Sequence, residues 1–302
     1  MRTLLIIGAG DIARRALPLL RGHWRVLALV RSAEKAADWR ALGALPILAD
    51  LDDSRSLRRI AGLADAILYT APPPEAGLLD PRLRKVLSQL AKTPSLPQRI
   101  VYISTSGVYG NASGQWLDEC SPLAPQSPRA QRRVDAERQL RAFAMLHGCA
   151  LTVLRAPGIY AANRLPLSRF TSQAPLITAS EDSIGNHIHA DDLARLSVAA
   201  LGQQRGGIRV YNACDSQPLA VGDWYDRLAD TLGYPRLPRL PREQVRQQVS
   251  PGLWSFLAES RRLRNTRLLR ELMGDLRYPT VEHLLRELPT SAESTTTYPP
   301  RQ

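Results

Sequence analysis

Cysteine, lysine and phenylalanine are scarce in this sequence of 302 residues, which contains three of each. The cysteines, Cys120, Cys149 and Cys214, are odd in number and widely spaced, which fits neither a disulfide framework nor a zinc site. We therefore predict free thiols in the core of a protein from a reducing compartment, and no bound metal.

Long hydrophobic runs are also missing. No apolar stretch reaches the roughly 18 residues that a membrane-spanning helix needs. The longest early run is broken at Gly8 and Asp11, and the apolar part that follows Arg2 is too short for a signal peptide. We expect a cytoplasmic protein that does not enter the membrane.

Acidic residues are in deficit: 40 Lys and Arg against 28 Asp and Glu give a formal net charge of +12. Specific nucleic-acid binding would require the basic residues to cluster on one face. They are instead spread over the chain, apart from a local run between Arg261 and Arg270. An anionic ligand such as a dinucleotide phosphate explains part of the surplus equally well. We expect a small-molecule substrate rather than a nucleic acid, and the sequence is compatible with a homodimer.

A glycine-rich turn follows the first predicted strand. Thr3–Ile7 is almost entirely branched and apolar, and Gly8-x-Gly10-x-x-Ala13 leads directly into a predicted helix over Ala13–Leu20. Gly8 permits the sharp turn, and Gly10 lets backbone N–H groups approach a pyrophosphate at the positive end of the helix. The pattern predicts dinucleotide binding; the alternative is a turn that merely uses glycine. The cofactor residues assigned here are Gly8, Gly10, Asp11 and Ile12.

The residues just after the second predicted strand, Val26–Val30, are expected to distinguish NADP from NAD. A carboxylate there would bind the ribose 2′-hydroxyl of NAD, whereas an arginine can pair with the 2′-phosphate of NADP. Arg31 and Ser32 occupy this position. The sequence favours NADP, with NAD as the alternative. The competing interpretation is a solvated arginine that opens a helix over Ala33–Leu42.

Strands and helices continue to alternate. Further strands are predicted at Leu45–Leu51, Ala66–Thr70, Arg99–Ser104 and Ala150–Leu154, and further helices at Ser54–Leu63, Pro81–Lys92 and Ala130–Leu146. This alternation predicts an α/β fold with a Rossmann-type doubly wound parallel sheet. Ala71-Pro-Pro-Pro74 would form a rigid wall at the edge of the sheet where ligands bind.

Six motifs then occur in a fixed order. They are Gly8-x-Gly10-x-x-Ala13, Asp50-Leu51, Ile103-Ser-Thr-Ser-Gly-Val-Tyr-Gly110, Leu154-Arg-Ala-Pro-Gly-Ile-Tyr160, Asn186-His-Ile-His-Ala-Asp-Asp-Leu-Ala194 and Tyr211-Asn-Ala-Cys-Asp215. Together they resemble the extended short-chain dehydrogenase/reductase superfamily, of the NAD-dependent epimerase/dehydratase type. The resemblance covers nearly the whole chain and implies an NAD(P)-binding oxidoreductase, epimerase or dehydratase.

The resemblance also implies roles for individual residues. Asp50 and Leu51 would lie near the adenine, Ala71 and Pro72 near the ribose and phosphates, Pro157 and Ile159 near the nicotinamide, and Asn186 at the hinge into a substrate lobe. Thr105 would hold the place of the catalytic hydroxyl.

One departure from the family pattern bears directly on catalysis. The superfamily's proton-transfer pair is Tyr-x-x-x-Lys, and the matching positions here hold Arg129 and Arg133. The phenol exchanges a proton near neutral pH with help from the ammonium group, whereas an arginine cannot exchange one usefully. Arg133 can still keep the lysine's second task, a hydrogen bond to the cofactor ribose. Tyr109, four residues beyond Thr105, is the best remaining phenol.

Two functions follow from this departure. In the first, the protein is an enzyme that acts on a small polar or nucleotide-linked substrate, with Thr105 and Tyr109 polarising a carbonyl or hydroxyl beside the nicotinamide. In the second, it is a non-catalytic NADP(H)-binding sensor or assembly protein. The missing pair favours the second function, and the preserved hydroxyls favour the first.

The remaining sequence suggests a smaller lobe. His187 and His189 would point to one face, and we prefer a structural role to a metal pair because no third ligand is evident. Asp191 and Asp192 open a helix over Leu193–Leu201 and are interpreted as helix-terminal acids. Helices are also predicted at Val221–Leu232, Glu243–Leu263 and Asn265–Met273. Arg261, Arg262 and Arg267 would form a solvated face or meet a phosphate-bearing substrate.

Taken together, these predictions describe a protein with two lobes. We predict a Rossmann domain over residues 1–160, to which 187–214 return, a small and mostly helical C-terminal substrate lobe from 161–186 and 215–290, and a disordered tail over 291–302.

Overall fold

A computed structural model describes residues 1–288 of the chain. The strands in this range are β1 (Arg2–Ile7), β2 (Trp24–Val30), β3 (Leu45–Leu48), β4 (Ala66–Tyr69), β5 (Arg99–Thr105), β6 (Trp116–Leu117), β7 (Ala150–Ala156), β8 (Gly158–Tyr160), β9 (Leu176–Ile177), β10 (Ile184–Gly185), β11 (His187–His189), β12 (Ile208–Asn212), β13 (Leu219–Ala220), β14 (Arg239–Leu240) and β15 (Arg262–Leu263). The helices are α1 (Asp11–Leu20), α2 (Ala33–Ala41), α3 (Pro81–Leu90), α4 (Pro128–His147), α5 (Ser168–Thr171), α6 (Ala190–Gly202), α7 (Val221–Leu232), α8 (Arg242–Gln248), α9 (Pro251–Leu257), α10 (Thr266–Glu271) and α11 (Val281–Leu285). The predicted disordered tail lies outside the described residues.

Seven parallel strands form the central sheet, in the order β12-β7-β5-β4-β1-β2-β3. The chain builds outward from β1 to β3 and then returns to the other side of β1 with β4. The connections therefore reverse direction between β1 and β4, which opens a crevice at the carboxyl ends of these two strands. This confirms the predicted doubly wound α/β fold.

The sheet is buried on both faces, as its apolar strands predict. In β1, Leu4 and Ile6 enter a cluster with side chains of α1 and α6, while Leu5 and Ile7 enter a second cluster with side chains of α3 and α4. Alternate residues of a strand point to opposite faces, so one short strand anchors both layers of helices.

A third cluster forms the core of the smaller lobe. It combines the segment after β7 with the C-terminal part of the chain, and its larger members are Tyr160, Phe170, Trp224, Leu228 and Tyr278. The strand β12 nevertheless pairs with β7 at the edge of the main sheet. The domain boundaries given above stay a prediction.

Asp192 joins the two lobes rather than simply starting a helix. It is fully buried, and its two carboxylate oxygens accept hydrogen bonds from the backbone N–H groups of Arg277 (2.9 Å) and Tyr278 (2.7 Å). The helix α6 is capped instead by His189, whose Nδ1 accepts from the N–H of Asp191. The interpretation of Asp192 as a terminal acid was therefore incomplete.

Two predicted helices are wrong in length. The segment Ser54–Leu63 contains only a 3-10 helix over Ser56–Ile60, because the Ser56 hydroxyl bonds the carbonyls of Asp50 and Asp53 and competes with α-helical bonding. The segment Glu243–Leu263 divides into α8 and α9 and then becomes the strand β15. Ser250 caps α9 and Pro251 opens it, and a proline holds the residue before it in an extended conformation.

Two of the three cysteines lie in the interior. Cys149 and Cys214 are buried free thiols, as predicted, but Cys120 is exposed. It lies in a turn where its N–H bonds the Asp118 carboxylate, outside the apolar clusters. None of the helices within residues 1–288 has the length and apolarity needed to cross a bilayer.

Candidate functional site

The glycine turn after β1 packs closely against the chain that leaves the neighbouring strand β4. Gly8 has φ +103°, and a Cβ there would lie 2.3 Å from the backbone nitrogen of Ala71. Any side chain would therefore collide with the chain leaving β4. At Gly10 the position of a Cβ faces open space, and Gly10 precedes α1 without a side-chain cap. The N–H groups of the first turn of α1 are left available to an anion.

Two cavities meet at this turn and form one continuous cleft, since Gly10, Thr70 and Pro72 line both. The smaller cavity, of about 220 Å³, lies over the ends of β2 and β3. The larger, of about 830 Å³, extends past the end of β5 to the small lobe. The predicted residues at the smaller cavity are Gly8, Gly10, Arg31, Asp50, Leu51, Ala71 and Pro72. Those at the larger cavity are Gly10, Asp11, Ile12, Pro72, Thr105, Arg133, Pro157 and Ile159.

The smaller cavity has a basic rim. Arg31, Lys35 and Arg82 line it. Arg82 is committed to a bidentate ion pair with Asp52, at 2.9 and 2.5 Å, which lowers the pKa of that carboxyl. Neither Arg31 nor Lys35 has an ion-pair partner in the described part of the chain. Two cations are thus left for a ligand at this end of the cleft.

The side chains of two predicted cofactor residues, Ser32 and Asp11, are engaged in contacts within the protein. The Ser32 hydroxyl caps α2 by accepting from the N–H of Lys35 at 3.3 Å, and Ser32 does not line the cleft. The Asp11 carboxylate is held by Arg15 (3.1 Å) and Arg164 (3.0 Å). Only the backbone of Asp11, at the first position of α1, is left to face a pyrophosphate.

At the end of β5, Thr105 lines the larger cavity. Its Oγ1 accepts a hydrogen bond from the N–H of Gly107 at 3.2 Å, which leaves the hydroxyl proton available for donation. The preceding Ser104 also lines this cavity, but its hydroxyl is committed to Glu137, to which it donates at 2.7 Å. Ser106, directly after Thr105, also lines this cavity, so the strand end presents the hydroxyls of Thr105 and Ser106 to the cleft.

Tyr109 does not reach the cleft, and this corrects the interpretation of it as a catalytic phenol. It is 2% exposed, and its hydroxyl donates to Asn212 Oδ1 at 2.7 Å and accepts from Arg155 Nη1 at 2.9 Å. Burial raises the pKa of Tyr109 to about 12. A phenol with its hydroxyl bonded away from the cavity cannot polarise a substrate there.

The arginines in the Tyr and Lys positions both line the larger cavity. Arg133 donates to the Tyr102 hydroxyl and to the carbonyl of Ile103, both at 2.9 Å. Arg129 stacks on Phe256, with its Cζ 3.8 Å from the ring centre. Phe256 belongs to α9, so this contact brings α4 and α9 together at the wide end of the cleft.

A family model described as NAD(P)H-binding matches residues 8–204, which covers most of the chain. The chain belongs to the NAD(P)H-binding family. The predicted resemblance to extended short-chain dehydrogenases of the epimerase/dehydratase type is confirmed by a solved NAD-dependent epimerase/dehydratase-type structure from Methylobacillus flagellatus, which is 27% identical with a TM-score of 0.70 over 95% of this chain and 98% of that one.

Similar proteins cover this NAD(P)H-binding chain almost completely. A conserved protein of unknown function from Silicibacter pomeroyi DSS is 30% identical, with a TM-score of 0.79, over 98% of this chain and 100% of that one. A 4-hydroxy-2-methyl-3-oxo-4-farnesyl-3,4-dihydroquinoline-1-oxide ketoreductase from Stigmatella aurantiaca is 28% identical over 91% of this chain and 87% of its own length. The dTDP-glucose 4,6-dehydratase from Streptomyces venezuelae, solved with NAD, is 21% identical with a TM-score of 0.74 over 95% of each chain, and shows the shared fold.

The histidine pair of this NAD(P)H-binding protein divides between two environments. His187 lines the larger cavity and packs edge-on against Tyr160, and burial lowers the pKa of His187 to about 4. His189 is stacked on Tyr278 in the core between the lobes. Among the described residues, no group of three His, Cys, Asp or Glu comes together as a metal site.

Several cleft residues of the NAD(P)H-binding protein escaped the sequence analysis. Phe256 and Glu259 come from a segment predicted as part of one long helix, and Lys35 and Arg82 lie on helices whose exposed faces carried no motif. Of the three arginines considered for a phosphate-bearing substrate, Arg261 lines the cleft, whereas Arg262 bonds the carbonyl of Gly114 and Arg267 lies 3.8 Å from Glu271. Asn186 also lines the cleft and ties β11 to the lobe through the backbone of Arg261 and Leu263.

Proposed function

We propose that the chain is an NADP(H)-dependent oxidoreductase that moves a hydride between the nicotinamide and a carbonyl or hydroxyl carbon of a small polar or nucleotide-linked substrate. The observation that carries the proposal is the continuous cleft. It runs from a basic pocket beside β2, past an uncapped helix N-terminus, to the Thr105 hydroxyl under the small lobe. The ketoreductase among its relatives supports a ketone as the group reduced.

The residues present fit a dinucleotide. The Gly8 turn leaves no room for a side chain, and the open space at Gly10 gives a pyrophosphate access to the first turn of α1. Arg31 and Lys35 would hold the 2′-phosphate, Arg133 the ribose beside the nicotinamide, and Pro157 and Ile159 the nicotinamide itself. When bound, the cofactor supplies or accepts the hydride.

The preference for NADP follows from the charges at the end of β2. Arg31 and Lys35 have no ion-pair partner in the described part of the chain, and Asp50, which follows β3 and lines the same cavity, accepts a hydrogen bond from the N–H of Asp52. A phosphate would supply the missing negative charge. The ribose hydroxyl of NAD would leave both cations unpaired.

The chemistry at the substrate differs from that of a Tyr-Lys pair. Thr105 donates a hydrogen bond to the reacting oxygen, while Arg133, bound to the carbonyl of Ile103, holds positive charge at the same strand end. These groups stabilise the negative charge that develops on the oxygen as the hydride arrives. The proton then comes from water at the mouth of the cleft, because an arginine does not release one near neutral pH.

The first test is a calorimetric titration of the purified protein with NADPH and with NADH, after removal of any nucleotide that copurifies. We expect NADPH to bind at least tenfold more tightly, the equivalent of about 1.4 kcal/mol. Equal affinities for NADPH and NADH would contradict the proposed contact of Arg31 and Lys35 with the 2′-phosphate. Failure of both nucleotides to bind would contradict the proposed function as a whole.

The second test concerns Thr105. With a ketone substrate found by screening, we expect Thr105→Ala to lower kcat about 30-fold, the equivalent of the ~2 kcal/mol of a hydrogen bond to a charged group. Thr105→Ser keeps the hydroxyl and should retain most of the activity. Tyr109→Phe is the matched control: its kcat should stay within about twofold, although it leaves Asn212 short of a donor and lowers thermal stability. Loss of turnover in Tyr109→Phe with an unchanged Thr105→Ala would reverse the assignment.

A non-catalytic NADP(H) sensor is the alternative, and one observation favours it. Arg129 and Arg133 replace the proton-transfer pair, and Tyr109, the remaining phenol, is bonded away from the cleft. A sensor would bind NADPH without oxidising it in the presence of any ketone. Closure of the lobe on binding would be followed by the fluorescence of Trp254, which lies on α9 two residues before Phe256, in a variant that keeps only this one of the five tryptophans.

A further inference from the structure

The wide end of the cleft carries more positive charge than its own acids neutralise. Arg129, Arg132 and Arg133 project from the first turns of α4, and Arg261 approaches from the small lobe. Glu259 pairs with Arg261 at 2.6 Å, which accounts for that arginine. These three arginines at the start of α4 have no ion-pair partner within residues 1–288.

Arg129 is partly buried and has no ion-pair partner among the described residues. One face of its guanidinium is covered by Phe256. Burial lowers the pKa of Arg129, and the charges of Arg133, Arg261 and Arg132 lower it further, against the opposing effect of Glu259. A partly desolvated cation among other cations is unfavourable unless an anion joins it. Stacking on a ring leaves the in-plane N–H groups free, in the fork that matches a carboxylate or phosphate.

Arg132 also has no ion-pair partner among the described residues, and it is more deeply buried than Arg129. It is 7% exposed, and its Nη1 donates to the carbonyl of Gly77 at 2.6 Å. Its Nε is buried and has no hydrogen-bond partner in the part of the chain that the structure describes. A neutral carbonyl does not balance the charge of a buried guanidinium, so this side chain also lacks an anion.

We propose that Arg129 and Arg132 bind an oxoanionic substituent of the substrate, a carboxylate or a phosphate, away from the carbon that exchanges hydride. This inference rests on the proposed function, since it places the substrate beside the cofactor in the same cleft. It also explains the change of Tyr to Arg at position 129: the side chain that would transfer a proton is replaced by one that selects the substrate. Arg133 remains with the cofactor ribose and the reacting end.

The experiment uses protein saturated with NADP, so that phosphate cannot enter the cofactor's own sites. Inorganic phosphate, benzoate and the neutral benzamide are titrated by calorimetry. Phosphate tests for a phosphate substituent on the substrate, and benzoate tests for a carboxylate. We expect at least one of them to bind in the millimolar range, and benzamide to bind at least tenfold more weakly.

Variants locate the binding. Arg129→Met should weaken anion binding at least tenfold. Arg129→Lys should retain part of the affinity, because lysine supplies a point charge without the bidentate fork of arginine. Arg138→Met is the matched control, because Arg138 is an exposed arginine on the same helix, and it should bind as the unaltered protein does. Melting temperatures of all three variants show that each is folded.

Two results would overturn the inference: neither anion binds the unaltered protein, or Arg129→Met and Arg138→Met bind equally well. Both leave the proposed function intact if NADP still saturates the protein in the same samples. Failure of NADP to bind, with phosphate binding that still depends on Arg129, would instead reject the proposed cofactor role and keep the anion site.

Discussion

Replacing Glu137 by glutamine should lower the free energy of unfolding by about 3–5 kcal/mol, the usual result of removing one partner of a buried ion pair. Glu137 on α4 and Arg155 on β7 are 1% and 2% exposed. Their contact is bidentate, with Arg155 Nε and Nη2 donating to the two carboxylate oxygens at 3.1 and 2.7 Å. The variant leaves a full positive charge in the core with a weaker acceptor.

The pair also organises the cleft from beneath. Glu137 accepts from Ser104, directly before Thr105, and Arg155 donates to Tyr109. Although burial alone would lower the pKa of Arg155, its hydrogen bonds and charge contact with Glu137 raise it, so the arginine stays charged. We therefore expect Glu137→Gln to reduce order at the end of β5 as well as overall stability.

Chemical denaturation followed by circular dichroism measures this effect. The matched control is Glu243→Gln. Glu243 forms an ion pair with Arg246, and the side chains of Arg246 and Glu243 are 60% and 68% exposed. Exposed pairs contribute only about 0–1 kcal/mol. Equal stabilities for the two variants would show that the buried pair is not a structural element of the core.

The parts of the site that could be predicted are those set by short stretches of chain. Gly8, Gly10 and Arg31 belong to one strand-turn-helix unit and the strand beside it, so their positions follow from local pattern and from the parallel sheet. The fold followed for the same reason, because apolar strands alternated with helices. The break within Glu243–Leu263 also has a local cause, because Ser250-Pro251 is a helix-start signal.

What could not be predicted depends on distant residues. The partners that bury the Tyr109 hydroxyl, Arg155 and Asn212, lie 46 and 103 positions away in the sequence. Spacing alone placed Tyr109 beside Thr105, but the 3-10 helix over Ser106–Tyr109 turns the phenol toward the core. The contact of Arg129 with Phe256 likewise requires the small lobe to be in place.

Exchanging Arg31 for aspartate should change the cofactor preference. We expect NADPH binding to weaken about 10³-fold, because the change removes a charge-assisted contact and sets a carboxylate against the 2′-phosphate. NADH should bind as well as before or better, since a carboxylate at the end of β2 can accept from the ribose hydroxyl. Lys35 would remain at the rim and preserve part of the NADPH affinity.

Paired titrations of NADPH and NADH at two ionic strengths give the result. Raising the salt should weaken NADPH binding to the unaltered protein and have little effect on NADH, because the phosphate contact lies at an exposed rim. Arg25→Asp is the matched control, as Arg25 is an exposed arginine near the opposite end of the same strand. Equal loss of NADPH and NADH in Arg31→Asp would mean that Arg31 supports the shape of the pocket and does not read the phosphate.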